Sequence, residues 1–316
     1  MELKVEQIKS LVHGAYGFKN TQDGYMYFSR YTDEQIEYLR FNKPFYDRAQ
    51  FSSSITIEFF TGAIKFGFLY KFLEIGSMDS LDVYIDGKTA YIQKLKDLPT
   101  EGELNFSLPA GEKHVVIYLP IDMQFSIKDF YIDGEFCGKS NKKTKVLWMG
   151  DSITQGYGSA YTSHTYVNIA NRFLGYEILN QGIGGFYYDC KVLKRMPEFI
   201  PDKIIVALGI NGHISPEKEK MIGDYYKTLT ELYPEVPILA ITPLWAKADW
   251  IDWQGVLDTM QLIIQNGEKY PQMQVINGFK LIPPVQEYFI DGVHPNELGM
   301  ELYAQNLVKE IDKIGF

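Results

Sequence analysis

Cysteine is scarce in this chain: Cys137 and Cys190 are the only two among 316 residues. Two thiols in a chain of this length make no disulfide framework, and they suit a reducing compartment. Basic clusters are scarce too. The densest, Lys139, Lys142, Lys143 and Lys145, falls in a stretch that reads as a solvated linker, and the net charge is -9. A nucleic-acid partner needs a basic face to neutralise phosphates, so that class is excluded. No apolar run reaches the roughly 20 residues that span a bilayer, which excludes a membrane-spanning helix. The first residues, Met1-Glu2-Leu3-Lys4-Val5-Glu6, lack a signal-peptide core and a small-residue cleavage site. A cytoplasmic protein is therefore expected, and the glycosylation sequon Asn105-Phe106-Ser107 reads as chance.

Hydrophobic residues make up 46% of the chain, enough for one large or two ordinary domains. Two halves follow different periodicities. From about Phe18 to Tyr131 the chain reads as strands and turns, with weak helical periodicity. Ser54–Phe60, Phe66–Phe72, Ser80–Gly87, Leu104–Leu108, His114–Leu119 and Phe125–Ile132 are rich in β-branched and aromatic residues, and Asp86-Gly87 is a hairpin signal. Short strands at this spacing predict an antiparallel β-sandwich. After residue 140 short apolar runs alternate with amphipathic ones, which predicts a parallel sheet with crossover helices. The strands are expected at 145–149, 176–180, 203–208, 237–242 and 274–277, and the helices near 163–174, 189–198, 216–232, 253–268 and 296–313. Leu298, Leu302, Leu307, Ile311 and Ile314 form the apolar stripe of the last helix. The expected domains are 1–140 and 141–316.

Chemistry-bearing residues fall just after the predicted parallel strands, where ligands gather in such sheets. Gly150-Asp151-Ser152-Ile153-Thr154 follows the first strand, and Asp291-Gly292-Val293-His294-Pro295 lies far downstream. A serine hydroxyl needs a neighbouring base to attack a carbonyl, and an imidazole needs a carboxylate to fix its tautomer. Ser152, His294 and Asp291 can fill those three roles. Taken alone, Asp151-Ser152 equally suits a helix cap, and the second motif a turn into a helix. Asn180-Gln181-Gly182-Ile183-Gly184-Gly185 and Leu208-Gly209-Ile210-Asn211-Gly212 follow the next two strands. Glycine lets a backbone N–H face a ligand, and an Asn amide is a second donor. His13, His114 and His164 have no comparable partner, and His213 is close enough to Asn211 to line the same pocket.

These four segments, in this order, resemble the SGNH (GDSL-type) hydrolases, whose name records Ser, Gly, Asn and His in four blocks. The resemblance covers about residues 144 to 316. It implies Ser152 as nucleophile, His294 as base and Asp291 as its orienting carboxylate. It assigns the oxyanion hole to the Ser152 N–H, the Gly185 N–H and the Asn211 side chain. In the family the donor glycine usually stands five residues after the block's Asn, which selects Gly185 over Gly184. Two departures stand out: Gly212 follows Asn211 where the family often has Asp, and Phe186 takes the place of another Asp.

The implied fold is a flavodoxin-like three-layer α/β domain behind a jelly-roll-like all-β sandwich. That arrangement is similar to the second family of carbohydrate esterases. It implies hydrolysis of short acyl esters, O-acetyl groups on carbohydrates above all, with a small-molecule or oligosaccharide ester as partner and no metal or organic cofactor. Lipase-like or acyl-thioesterase activity on longer chains, or glycan binding without turnover, are the alternatives. Trp245, Phe186, Tyr187 and His213 are the expected substrate-binding side chains, with Tyr157, Tyr161, Trp250 and Trp253 as further aromatic candidates. The oligomeric state is left open.

Overall fold

Alternation of apolar and polar residues in the N-terminal half produces two antiparallel sheets, as the computed structural model of the chain describes for residues 2–73, 79–134 and 136–316. One sheet runs in the order Val12–His13, Thr56–Thr61, Lys113–Tyr118, Ser80–Ile85 and Lys88–Lys94, with Phe136–Lys139 also paired to Thr56–Thr61. The other runs Gly17–Asn20, Met26–Ser29, Phe125–Asp133, Lys65–Phe72 and Glu101–Ser107. Their inner faces enclose one core, in which the rings of Phe59, Phe66, Phe68, Phe106 and Phe130 pack against one another. Asp86 and Gly87 both have positive φ, 50° and 76°, the tight hairpin geometry that Asp-Gly favours.

The second half forms a five-stranded parallel sheet in the order Glu177–Gly182, Lys145–Gly150, Lys203–Ala207, Ile238–Ile241 and Met273–Ile276. This 2-1-3-4-5 order is flavodoxin-like, and its switch point lies between the strands 145–150 and 203–207. Both faces are covered, so the strands read as continuous apolar runs. Val146 and Trp148 face helices Tyr166–Leu174 and Glu297–Ile314, whose Tyr166 and Tyr303 rings stack 3.9 Å apart. Leu147 and Met149 face the other side, where helix Lys218–Leu232 packs.

Three expectations are corrected. The segment 189–198 is not a helix and holds only the short 3-10 turn Cys190–Val192. Pro197 offers no N–H for a helical bond, and Gln35 Nε2 instead donates to the Val192 carbonyl at 3.0 Å. The missing layer is supplied from the N-terminal half, where the sequence suggested only strands and turns. Helices Asp33–Leu39 and Lys43–Ala49 bury Leu39, Phe45 and Ala49 against the parallel sheet. Thr32 and Asn42 cap them, the first in a reciprocal box with Gln35. In the last helix the buried stripe is Met300, Tyr303, Ala304, Leu307 and Ile311, while Leu298 is 56% exposed. Among the described residues, no helix is long and apolar enough to cross a membrane.

Candidate active site

The strand Lys145–Gly150 turns directly into the short helix Ser152–Gln155, capped by Asp151, whose Oδ1 accepts from the Ile153 N–H at 3.0 Å. Glycine is required at 150, since a Cβ there would collide with the Thr154 side chain and the Ala207 carbonyl. Ser152 is thereby held at the sheet's carboxyl edge. Its Oγ lies 2.8 Å from His294 Nε2, and His294 Nδ1 lies 2.7 Å from Asp291 Oδ2. The other Asp291 oxygen accepts from the N–H groups of Val293 and His294, at 3.0 and 2.9 Å. Burial works against the Asp291 charge, but these N–H donors and the imidazole outweigh it and hold its carboxyl below the usual range. A carboxylate on Nδ1 places the ring proton there and leaves the Nε2 lone pair facing the serine hydroxyl. Tyr157 packs edge-on against the imidazole, with centroids 4.6 Å apart.

Three possible donors line the same cavity as these side chains. The Ser152 N–H belongs to the first turn of its helix and has no intrahelical acceptor. Gly185 sits in the turn Ile183–Phe186 with φ +81°. Asn211 Nδ2 donates one hydrogen to the Phe186 carbonyl at 3.0 Å, which leaves its second amide hydrogen for a ligand. Ser152, Gly185, Asn211, Asp291 and His294 all line one cavity of about 550 Å³.

Apart from Tyr157 and the glycine turn, the rest of that cavity was not legible in the sequence. Pro44, Asp47, Arg48, Phe51 and Asp122 come from the N-terminal half, and Gln155, Tyr157 and Gly184 complete the lining. The Asn42 cap, with Pro44 two residues on, is the local signal that could have located the helix carrying Pro44, Asp47 and Arg48. Asp122 has none, since it lies in a loop between strands. Its Oδ1 accepts from Gln155 Nε2 at 3.1 Å. Burial and the nearby Asp79 push its carboxyl up to about 7, against the pull of Arg48.

Four expected substrate contacts stand elsewhere. Phe186 is buried against Phe45, and Tyr187 packs on both rings; neither lines the cavity. His213 is fully buried and clasps its own loop: Nε2 accepts from the Asp252 N–H at 3.1 Å, and Nδ1 lies 2.5 Å from the Ile210 carbonyl. Trp245 is wedged between Phe289 and Trp253, and Trp253 packs in turn on Phe279. Trp250, half exposed, lies over His213. Of the aromatic candidates only Tyr157 reaches the cavity; Tyr161 lies under Lys94 and beside His164. Among the described residues, no group of three or more His, Cys, Asp or Glu could hold a metal ion.

Comparison with known proteins places this geometry in context. No curated protein matches the chain in sequence. A salicylyl-acyltransferase from a tetracycline biosynthetic pathway has a similar structure, with TM-score 0.84 and 20% identity over 96% of this chain and 94% of that one. A family two carbohydrate esterase from Clostridium thermocellum, in complex with cellohexaose, superposes with TM-score 0.72 and 14% identity over 96% and 99% of the two chains. An acetyl xylan esterase from the rumen bacterium Butyrivibrio proteoclasticus gives TM-score 0.67 and 16% identity over 100% and 98%. At such identities the likeness is one of fold, both halves of the chain included. The sequence itself matches the GDSL-like lipase/acylhydrolase family over residues 148–302, and this part of the chain is a domain of that family.

Proposed function

We propose that the protein is a serine esterase that removes short acyl groups, acetyl foremost, from carbohydrate hydroxyls. One observation carries the reading: Ser152 Oγ, the His294 ring and the Asp291 carboxylate form a continuous chain of 2.8 and 2.7 Å contacts at the wall of an open cavity. His294 Nε2 takes the hydroxyl proton as Ser152 Oγ bonds to the ester carbonyl carbon. The carbonyl π electrons move to oxygen, where the Ser152 and Gly185 N–H groups and the Asn211 amide stabilise the charge. The alkoxy bond then breaks, and His294 returns the proton to the departing alcohol. In the second half a water gives its proton to His294 and attacks the acyl-enzyme; the bond to Ser152 Oγ breaks, His294 returns the proton to that oxygen, and the acid leaves. Asp291 stays ionised throughout and favours the imidazolium.

The cavity wall argues for a polar substrate. Pro44, Phe51 and Tyr157 are its apolar contributors, whereas Asp47, Arg48, Asp122, Gln155 and Asn211 offer donors and acceptors. A long acyl chain gains little from such a wall, because binding it depends on burying apolar surface. A sugar, with hydroxyls that both donate and accept, suits it better. The fold shared with carbohydrate esterases agrees with this reading. Its test is mass-spectrometric screening of acetylated oligosaccharides for loss of acetyl, with Ser152→Ala as control. Octanoyl esters cleaved faster than acetyl esters would instead support the lipase-like alternative.

A further inference from the structure

The turn that carries Gly185 has two available shapes. The Phe186 N–H donates to the Ile183 carbonyl at 3.0 Å, closing a four-residue turn with Gly184 and Gly185 at its centre. The φ of +81° at Gly185 makes it type II. The type I form differs by rotating the peptide between the two central residues, roughly 150° in one torsion and 170° in the next. Glycine at both positions removes the steric preference that would normally choose between them. Something outside the turn must choose.

Arg48 is placed to do so. Its Nη1 donates to the Gly184 carbonyl at 2.6 Å. That carbonyl belongs to the same peptide unit as the Gly185 N–H, and in a trans peptide the two point in opposite directions. Gripping one therefore aims the other. The preceding peptide is fixed as well, since the Gly184 N–H donates to Gln155 Oε1 at 2.7 Å. Arg48 is itself anchored to this strand end through Arg30, which is fully buried. Arg30 Nη2 donates to the Arg48 carbonyl at 2.8 Å and its Nε to the Phe51 carbonyl at 2.7 Å. Its Nη1 donates to the carbonyls of Asn180 and Gly182, at 2.5 and 3.0 Å. Helix Lys43–Ala49 and the approach to the glycine turn thus share one guanidinium.

We propose that Arg48 is a positioning residue that holds the Gly184–Gly185 peptide in the orientation in which the Gly185 N–H meets the developing oxyanion. The N-terminal half of the chain then completes the oxyanion hole of a site whose nucleophile lies in the other half. The inference rests on the esterase reading, and the roles it assigns are separable from it by experiment.

The test compares wild type, Arg48→Met, Arg48→Lys and Ser152→Ala in the full chain, with p-nitrophenyl acetate as a substrate too small to depend on Arg48 for binding. A lost oxyanion donor typically costs 10²–10³ in kcat; a donor free to flip is lost only part of the time, so Arg48→Met is expected to lower kcat roughly 10- to 100-fold. KM stays within about twofold, and affinity for a methyl trifluoromethyl ketone, whose adduct carries the oxyanion, falls in proportion to kcat/KM. Arg48→Lys retains a charge and a single donor and gives an intermediate loss; it also supplies the test if Arg48→Met does not fold. Added guanidinium ion restores part of the Arg48→Met rate. A kcat unchanged in both variants, or a loss confined to KM, overturns the proposal and leaves the esterase reading intact so long as Ser152→Ala is inactive. Wild-type turnover by Ser152→Ala removes both.

Discussion

The two walls of the cavity are built in different ways. Ser152, Gly185, Asn211 and His294 each lie within a few residues of the end of a strand or the start of a helix. Their places follow from backbone features such as the Asp151 cap and the positive φ of Gly185 and Gly292. Facing them, Arg48, Phe51 and Asp122 come from a short helix, the segment after it and a sandwich loop. Their positions depend on bonds that bridge large separations in sequence, such as Arg30 to Asn180 and Arg48 to Gly184. The groups proposed to react sit in local motifs, whereas the surface that faces them depends on packing between the halves.

The hardest test of the first wall is Ser152→Ala. On the proposed mechanism it lowers kcat for an acetyl ester by about 10⁴- to 10⁶-fold, leaving only residual catalysis by binding and the oxyanion donors. Steady-state assay, with fluorophosphonate labelling of the wild type at Ser152, checks it. The second wall is broken further away, at Arg30. Replacing it by Met leaves the carbonyls of Arg48, Phe51, Asn180 and Gly182 without their buried donor, an expected loss of about 3–5 kcal/mol in stability. Chemical denaturation measures it, and the folded fraction should also turn over more slowly because the Arg48 anchor has gone. If Arg30→Met were as stable as wild type, the second wall would be as local as the first.

Asn211→Ala sharpens the comparison. It removes a single side-chain donor from the strand-end wall, with an expected fall of about 10²- to 10³-fold in kcat and little change in KM. An effect on KM alone would move Asn211 from the oxyanion to substrate binding.

How far each wall could be read in the sequence follows the same division. The parallel strands were legible because burial on both faces makes them continuous apolar runs. The blocks at their ends were legible because a cap, a glycine turn and an Asp three residues before a His are short-range patterns. The segment 189–198 misled because it has an apolar stripe that suggests a helix, and those side chains are indeed buried, but Gln35 and Pro197 divert its backbone. Trp245, Phe186 and Tyr187 misled because an aromatic near a sheet edge carries no mark of which way it faces. They fill gaps beside Phe289 and Phe45 instead of opening onto the cavity. His213 lies two residues beyond Asn211, yet its ring turns inward to hold the Asp252 N–H. Asp122 was invisible because its role arises only when two folded halves meet.

The smallest expected effect concerns a feature that the walls share. Each holds a carboxyl pushed up to about 7: Asp151 behind Ser152, by burial that the Ile153 N–H only partly offsets, and Asp122 opposite, by burial together with Asp79. For a carboxyl whose pKa rises on folding, the native state binds more protons than the unfolded chain between the two pKa values. Stability is then fully present below about pH 4 and is lost as pH rises towards 7. Asp151→Asn keeps a cap-forming side chain while removing the titration. Its denaturation free energy, relative to wild type, should therefore improve between pH 4 and 8 by on the order of 2 kcal/mol. That is about half of what a three-unit shift converts to, because the helix that starts at Ser152 favours the anion once it forms. Asp122→Asn should show a similar slope, and pairing it with Asp79→Asn should show coupling between those two sites that Asp151→Asn lacks. A flat difference for Asp151→Asn, beside a sloping one for Asp122→Asn, would mean that the carboxyl behind Ser152 is ionised in the folded protein. The strand-end wall would then carry a fixed negative charge directly behind Ser152.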